Sequence, residues 1–156
     1  WSFMPRQAPA SLQLWQGGPP IMPSAAGILE EGISTMLLLS NVVPGKLKEK
    51  VSISIFTNLK PEEVESTLRI INIDKSWFRF IVSGEDIKER KPALDGFYLM
   101  IEKSGLKPEE ILYIGDRVKV DVLPAKEVGM KTCLVWDKSN EADYSFEKFE
   151  DILSLF

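Results

Sequence analysis

The stretch Ile111-Leu-Tyr-Ile-Gly-Asp-Arg-Val-Lys-Val-Asp-Val-Leu-Pro-Ala-Lys-Glu-Val-Gly-Met-Lys-Thr-Cys-Leu-Val135 decides the fold. Its first four residues form an apolar run of the length of a buried strand. Gly115 supplies a tight turn where that strand ends. Asp116 and Asp121 follow, and apolar residues resume at Val122 and Leu123 to begin a helix. Gly129 closes the helix, and Thr132 to Trp136 reads as the next strand. The unit is therefore strand, acidic loop, helix, strand. In open α/β sheets ligands bind outside the carboxyl ends of the strands. Two carboxylates there are hard oxygen donors, suited to Mg²⁺ together with a phosphate. An Asp in such a loop can equally be a plain helix cap, so the reading depends on what lies upstream.

Upstream, the same alternation recurs. Val51 to Phe56 predicts a strand ending in Thr57-Asn58. Pro61-Glu62-Glu63 opens a helix with Pro at its first position and acids in its first turn, and Val64, Leu68 and Ile71 form its apolar stripe. Phe78 to Val82 predicts a second strand, followed by a charged loop running to Lys91-Pro92. Leu94 to Lys103 predicts a helix ended by Gly105, and Phe146 to Phe156 a closing helix. Pro44-Gly45 reads as a turn, with Lys46 to Lys50 a short connector behind it. Strands and helices alternating at this spacing imply βαβ units and a parallel sheet. Such a sheet brings Thr57, Lys91, Asp116 and Asp121 to one edge. A hydroxyl, an ammonium and two carboxylates are what a phosphate with a magnesium ion requires.

Composition narrows the remaining chemistry. The chain has 156 residues, one domain's worth, and its 44% hydrophobic and 27% charged content is that of a globular protein. A net charge of −4 argues against nucleic acid or an acidic membrane as partner. The longest apolar run near the N-terminal part, Met36 to Leu39, is too short to span a membrane. There is no histidine, which removes His-based acid–base catalysis, Ser-His triads and His-ligated zinc. The one cysteine, Cys133, sits in an apolar strand; it fits a reducing compartment and a cytoplasmic location.

Residues 44 to 136 resemble the core of the haloacid dehalogenase (HAD) superfamily, in its phosphoglycolate-phosphatase-like branch. The resemblance rests on three motifs in order: Ile55-Phe-Thr57-Asn58, Lys91-Pro92, and Gly115-Asp116 with Asp121. Ala125, Gly129-Met130 and Thr132 are also similar to the family. The resemblance implies a Rossmannoid α/β fold, with a parallel sheet flanked by helices, and a Mg²⁺-dependent hydrolase of small phosphorylated metabolites. It implies that Thr57, Asn58 and Lys91 bind the phosphoryl group, with Thr57 and Lys91 serving catalysis. It further implies that Asp116 binds the metal and that Asp121 supports either the metal or Lys91. A phosphoacceptor receiver domain also places a Thr and a Lys-Pro in this order, but it ends with one helix after the Lys. Two more strand candidates follow Lys91 here.

One family element is missing. The family reaction starts with attack by the first Asp of an Asp-x-Asp motif on the central strand, forming an aspartyl-phosphate. This sequence has no Asp before Asp74. Residues 1–43 form a segment of different composition, holding Pro5, Pro9, Gly17-Gly18-Pro19-Pro20 and Pro23 with little apolar periodicity. It reads as partly disordered, with no secretory signal, and residues 44–156 as the HAD-like domain. The chain opens on Trp1 and looks like a member whose N-terminal part is lost, replaced or out of frame, without a full cap domain. Its sheet is then incomplete on the N-terminal side. Met36 to Leu39 fills the central position, with Ser40 in the nucleophile's place, or a partner chain or second copy fills it, or the domain is marginally stable. The function expected is that of a HAD-like phosphatase domain weakly active or inactive as this chain. The alternative is a non-catalytic module retaining a phosphate and metal pocket.

Overall fold

The computed structural model describes residues 11–15 and 42–156. Its centre is a sheet of six strands: β1 (Ser11–Trp15), β2 (Ser52–Phe56), β3 (Phe78–Val82), β4 (Ile111–Gly115), β5 (Lys131–Val135) and β6 (Tyr144–Phe146), in the spatial order β3-β2-β1-β4-β5-β6. The pairs β2–β3, β4–β5 and β5–β6 are parallel. Their carboxyl ends therefore share one edge, as the alternation of strands and helices predicts.

The middle of the sheet differs from the sequence expectation. The strand between β2 and β4 is Ser11–Trp15, and it runs antiparallel to both neighbours, with Ser11 opposite Gly115 and Trp15 opposite Ile111 and Ser52. It comes from the Pro/Gly-rich segment, where Ser-Leu-Gln-Leu-Trp is a short alternating run between the prolines. Met36 to Leu39 and Ser40, expected to supply that strand, lie outside the described residues.

Among the described residues, four helices pack on this sheet: α1 (Val42–Leu47), α2 (Pro61–Ile70), α3 (Asp95–Ser104) and α4 (Leu123–Glu127). Pro44-Gly45 is not a turn but part of α1. A proline near a helix start costs little, because the first N–H groups lack intrahelical acceptors anyway. In α2 the Glu63 carboxylate accepts from the Lys60 backbone N–H at 2.7 Å, and Val64 and Leu68 are buried, whereas Ile71 follows the last helical residue. α3 ends at Gly105, whose φ of 70° is a conformation that side chains disfavour. The expected closing helix is a 3₁₀ helix, Phe149–Leu155, burying Phe149 and Ile152. β6 is a further strand, held to β5 through Thr132, whose N–H and hydroxyl both donate to Asp143 at 2.8 Å.

The core is continuous across β2, β4, β5 and α3. Phe56, Phe97 and Tyr113 form a ring cluster with centroid separations of 5.0 to 6.4 Å. Gly96 makes room for it, since a Cβ there would lie 2.1 Å from the Phe56 ring. This cluster forms the floor beneath the carboxyl edge. Among the described residues, no helix is long and apolar enough to cross a membrane.

Candidate active site

Thr57 follows β2 directly, and its N–H continues the ladder by donating to Val82 at 2.9 Å. Its buried hydroxyl accepts from the Leu59 N–H at 3.1 Å, closing a tight turn. The Asn58 side chain faces the loop that carries Lys91: its Oδ1 accepts from the Lys91 N–H at 2.9 Å, and its amide nitrogen lies 3.5 Å from the Lys91 carbonyl. Gly84 lets the two segments meet, since a Cβ there would lie 2.3 Å from the Asn58 carbonyl.

The Lys91 loop is held by carboxylates along its length. Asp86 accepts from the Ser83 N–H and hydroxyl at 2.7 and 2.6 Å. Asp95, opening α3, accepts from the N–H groups of Lys88 and Glu89 at 2.9 and 3.2 Å. The loop ends in a cis Lys91-Pro92 peptide bond.

Lys91 then turns inward. Its side chain is 2% exposed, and its ammonium donates to Asp121 Oδ1 at 2.8 Å; Asp121 itself is 0% exposed. Burial pulls the Lys91 ammonium below its ordinary range, and the neighbouring Asp121 carboxylate works against that shift. Asp121 is carried by one wide, π-helical turn, Val118–Val122, between Asp116 and α4. Gly115 admits it: a Cβ at residue 115 would lie 2.3 Å from the Asp121 Cβ. The second Asp121 oxygen accepts from the Arg117 N–H at 3.3 Å, and Arg117 Nε lies 3.9 Å from both Asp116 and Asp121.

Asp116 is different in kind. Its side chain is only 4% exposed, yet Oδ1 has no hydrogen-bond donor among the described residues. Burial, and then the nearby Asp121 charge, push its carboxyl up to about 8. A buried carboxylate oxygen without a hydrogen-bond donor is a place where a cation would be stabilised. Among the described residues no three carboxylate or thiol side chains converge on one point. Asp121 offers one oxygen to Lys91 and the other to the Arg117 N–H. Asp116 is the residue here that could hold a hard cation such as Mg²⁺ through its free carboxylate oxygen.

Thr57, Asn58, Lys91, Asp116 and Asp121 thus lie on one sheet edge, linked through Asn58–Lys91 and Lys91–Asp121. Two side chains outside the three motifs, Tyr113 and Arg117, reach the same groups. The Tyr113 hydroxyl lies 3.2 Å from Lys91 Nζ and 3.3 Å from Asp121 Oδ1. A signal existed: a tyrosine inside an otherwise aliphatic buried strand needs a partner for its hydroxyl.

Comparison with known proteins gives the same picture. Residues 43–135 match the family model of haloacid dehalogenase-like hydrolases. The chain is 32% identical over 82 residues to the phosphoglycolate phosphatase of Photorhabdus laumondii, covering 53% of this chain and 34% of the relative. It is 30% identical over 86 residues to the glyceraldehyde 3-phosphate phosphatase of Methanocaldococcus jannaschii, covering 51% and 38%. The chain thus spans little more than a third of the length of these curated relatives. Among solved structures, a predicted phosphoglycolate phosphatase from Haemophilus somnus is 28% identical with a TM-score of 0.64, over 74% of this chain and 55% of that one. The magnesium-bound HAD-hydrolase YfnB of Bacillus subtilis superposes with a TM-score of 0.67 at 23% identity, over 73% and 52%, and shares the fold. Motif order, sheet topology and similarity converge: the chain belongs to the haloacid dehalogenase-like hydrolases, in the phosphoglycolate-phosphatase-like branch.

Proposed function

We propose that this chain is a phosphate-binding HAD domain that recognises a small phosphorylated metabolite, with no hydrolysis of its own. The observation that carries the reading is the buried Lys91–Asp121 pair beside the donor-less oxygen of Asp116, in a sequence with no Asp before Asp74. Cation, carboxylate and hydroxyl groups for handling a phosphate are present, and residues 1–73 contain no Asp that could attack phosphorus.

In this reading Lys91 stabilises the negative phosphoryl oxygens, and Asp121 keeps the ammonium charged within an apolar pocket. Thr57 and Asn58 shape the turn on which the phosphoryl group rests, Asn58 by holding the backbone of Lys91. Asp116 would hold a magnesium ion, which when bound supplies charge neutralisation at the phosphoryl oxygens. The single buried thiol, Cys133, fits a reducing, cytoplasmic setting.

Calorimetric titration with inorganic phosphate, with and without Mg²⁺, tests the proposal. Phosphate binding that Mg²⁺ tightens in the wild-type chain but not in Asp116→Asn is the expected result. A chain that binds no phosphate in either condition overturns it.

A further inference from the structure

We propose that Tyr113 is a positioning residue for Lys91: its hydroxyl fixes the direction of the ammonium from the rigid central sheet. The inference rests on the phosphate-binding reading and assigns a role to a side chain outside the three motifs.

The geometry specifies how the three groups are wired. Lys91 Nζ is 2.8 Å from Asp121 Oδ1 and 3.2 Å from the Tyr113 hydroxyl, which is itself 3.3 Å from the same carboxylate oxygen. An ammonium has donors and no acceptor. The phenol oxygen therefore accepts from Lys91, and its single proton goes to Asp121. The result is a closed cycle of three hydrogen bonds with the charges at two corners.

The three members stand on supports of unequal rigidity. Lys91 lies on a loop, and Asp121 on one wide turn. Tyr113 is in β4, paired with strands on both sides. Its ring is fully buried and seated against Phe97 and Phe56 at 5.0 and 6.4 Å. An acceptor on a fixed strand adds a direction to the one that Asp121 imposes on the ammonium. The ammonium also lies 5.0 Å from the Phe56 ring centroid and 5.9 Å from that of Tyr113, so the apolar floor favours the same position. A tyrosine that only filled the core would have no need for its oxygen to meet both members of the ion pair.

Tyr113→Phe keeps the ring and deletes the oxygen. Two measurements read the effect: phosphate binding by calorimetry, and the ¹H–¹⁵N correlation signal of the Lys91 ammonium, which is visible only when the group is ordered and shielded from exchange. The wild-type chain is expected to give a protected ammonium signal, assigned by its absence in Lys91→Arg. In Tyr113→Phe the signal broadens or is lost and phosphate binds about tenfold more weakly, the size expected for losing one hydrogen bond to a charged group. Phe97→Leu, which keeps the hydroxyl but loosens its seat, is a second variant and should broaden the same signal. Tyr98→Phe, on the exposed face of α3, should change neither. A Tyr113→Phe chain with the wild-type ammonium signal and unchanged phosphate affinity overturns the inference. A wild-type chain that binds no phosphate overturns the functional reading alone; the ammonium signal then still decides whether Tyr113 holds Lys91.

Discussion

Lys91→Met breaks the most deeply buried charge pair described in the molecule, and its cost follows from the structure. The two charges are 2.8 Å apart, with side chains 2% and 0% exposed. At an effective dielectric of about 20 their gross attraction is about 6 kcal/mol. Much of that repays the desolvation of both groups, so the pair itself adds little net stability. Removing one partner is a different matter, because it leaves Asp121 charged and buried, at a cost of about 3–5 kcal/mol. The expected value is near 3, since the Arg117 N–H still donates to Asp121 and Arg117 Nε is only 3.9 Å away. Urea denaturation followed by circular dichroism should show the midpoint falling by about 2 M, for a denaturant dependence of about 1–2 kcal/mol per molar. Asp121→Asn in the same chain removes the stranded charge. The double variant should therefore be more stable than the sum of the two single losses, by about 2 kcal/mol. A Lys91→Met loss below about 1 kcal/mol, or a coupling within about 0.5 kcal/mol of zero, would refute the buried pair.

Three further outcomes follow from packing and burial. Gly115→Ala places a methyl 2.3 Å from the Asp121 Cβ, and the forced movement should cost about 2 kcal/mol or more in a thermal melt while disturbing the Lys91 ammonium signal. Burial pushes the Cys133 thiol up to about 12; its raised value keeps the group as unreactive thiol through neutral and mildly alkaline pH. Ellman's reagent at pH 8 should therefore modify the native chain at the rate of unfolding and the urea-unfolded chain at once; immediate modification of the folded chain would contradict the burial. Thr132→Val removes the hydroxyl that both donates to and accepts from Asp143. It should cost about 1–2 kcal/mol, with amide exchange faster at Tyr144 to Phe146 than in β4.

Local pattern carried the parallel strands well. β2, β3, β4 and β5 are short apolar runs bounded by Gly, Asn, Pro or charged residues, and each falls within a residue or so of its expected place. β6 did not announce itself, because Tyr-Ser-Phe is too short for a period and is held by an Asp143–Thr132 contact made across 11 residues of sequence. The centre of the sheet was illegible for another reason. Two runs, Met36 to Leu39 and Ser11 to Trp15, have strand character, and only long-range pairing selects between them. Pro44-Gly45 misled because the same dipeptide fits a turn and a first helical turn. At the site, motif spacing brought Thr57, Lys91, Asp116 and Asp121 to one edge. It left the job of Asp121 open, because a carboxylate's role depends on what its oxygens meet in space. Tyr113 meets Lys91 and Asp121 at 3.2 and 3.3 Å, and Gly115 leaves the room that Asp121 fills; spacing along the sequence states neither.

The central proposal is that this chain, whose residues 1–73 hold no Asp, binds phosphate without hydrolysing it. Hydrolysis of an aryl phosphate by the purified chain, with and without Mg²⁺ and beside Asp116→Asn, tests it most directly. The account predicts no release of phenol above the Asp116→Asn background under either condition. Mg²⁺-dependent turnover that Asp116→Asn abolishes would contradict it, and would mean that this chain holds a nucleophile other than an Asp-x-Asp acid.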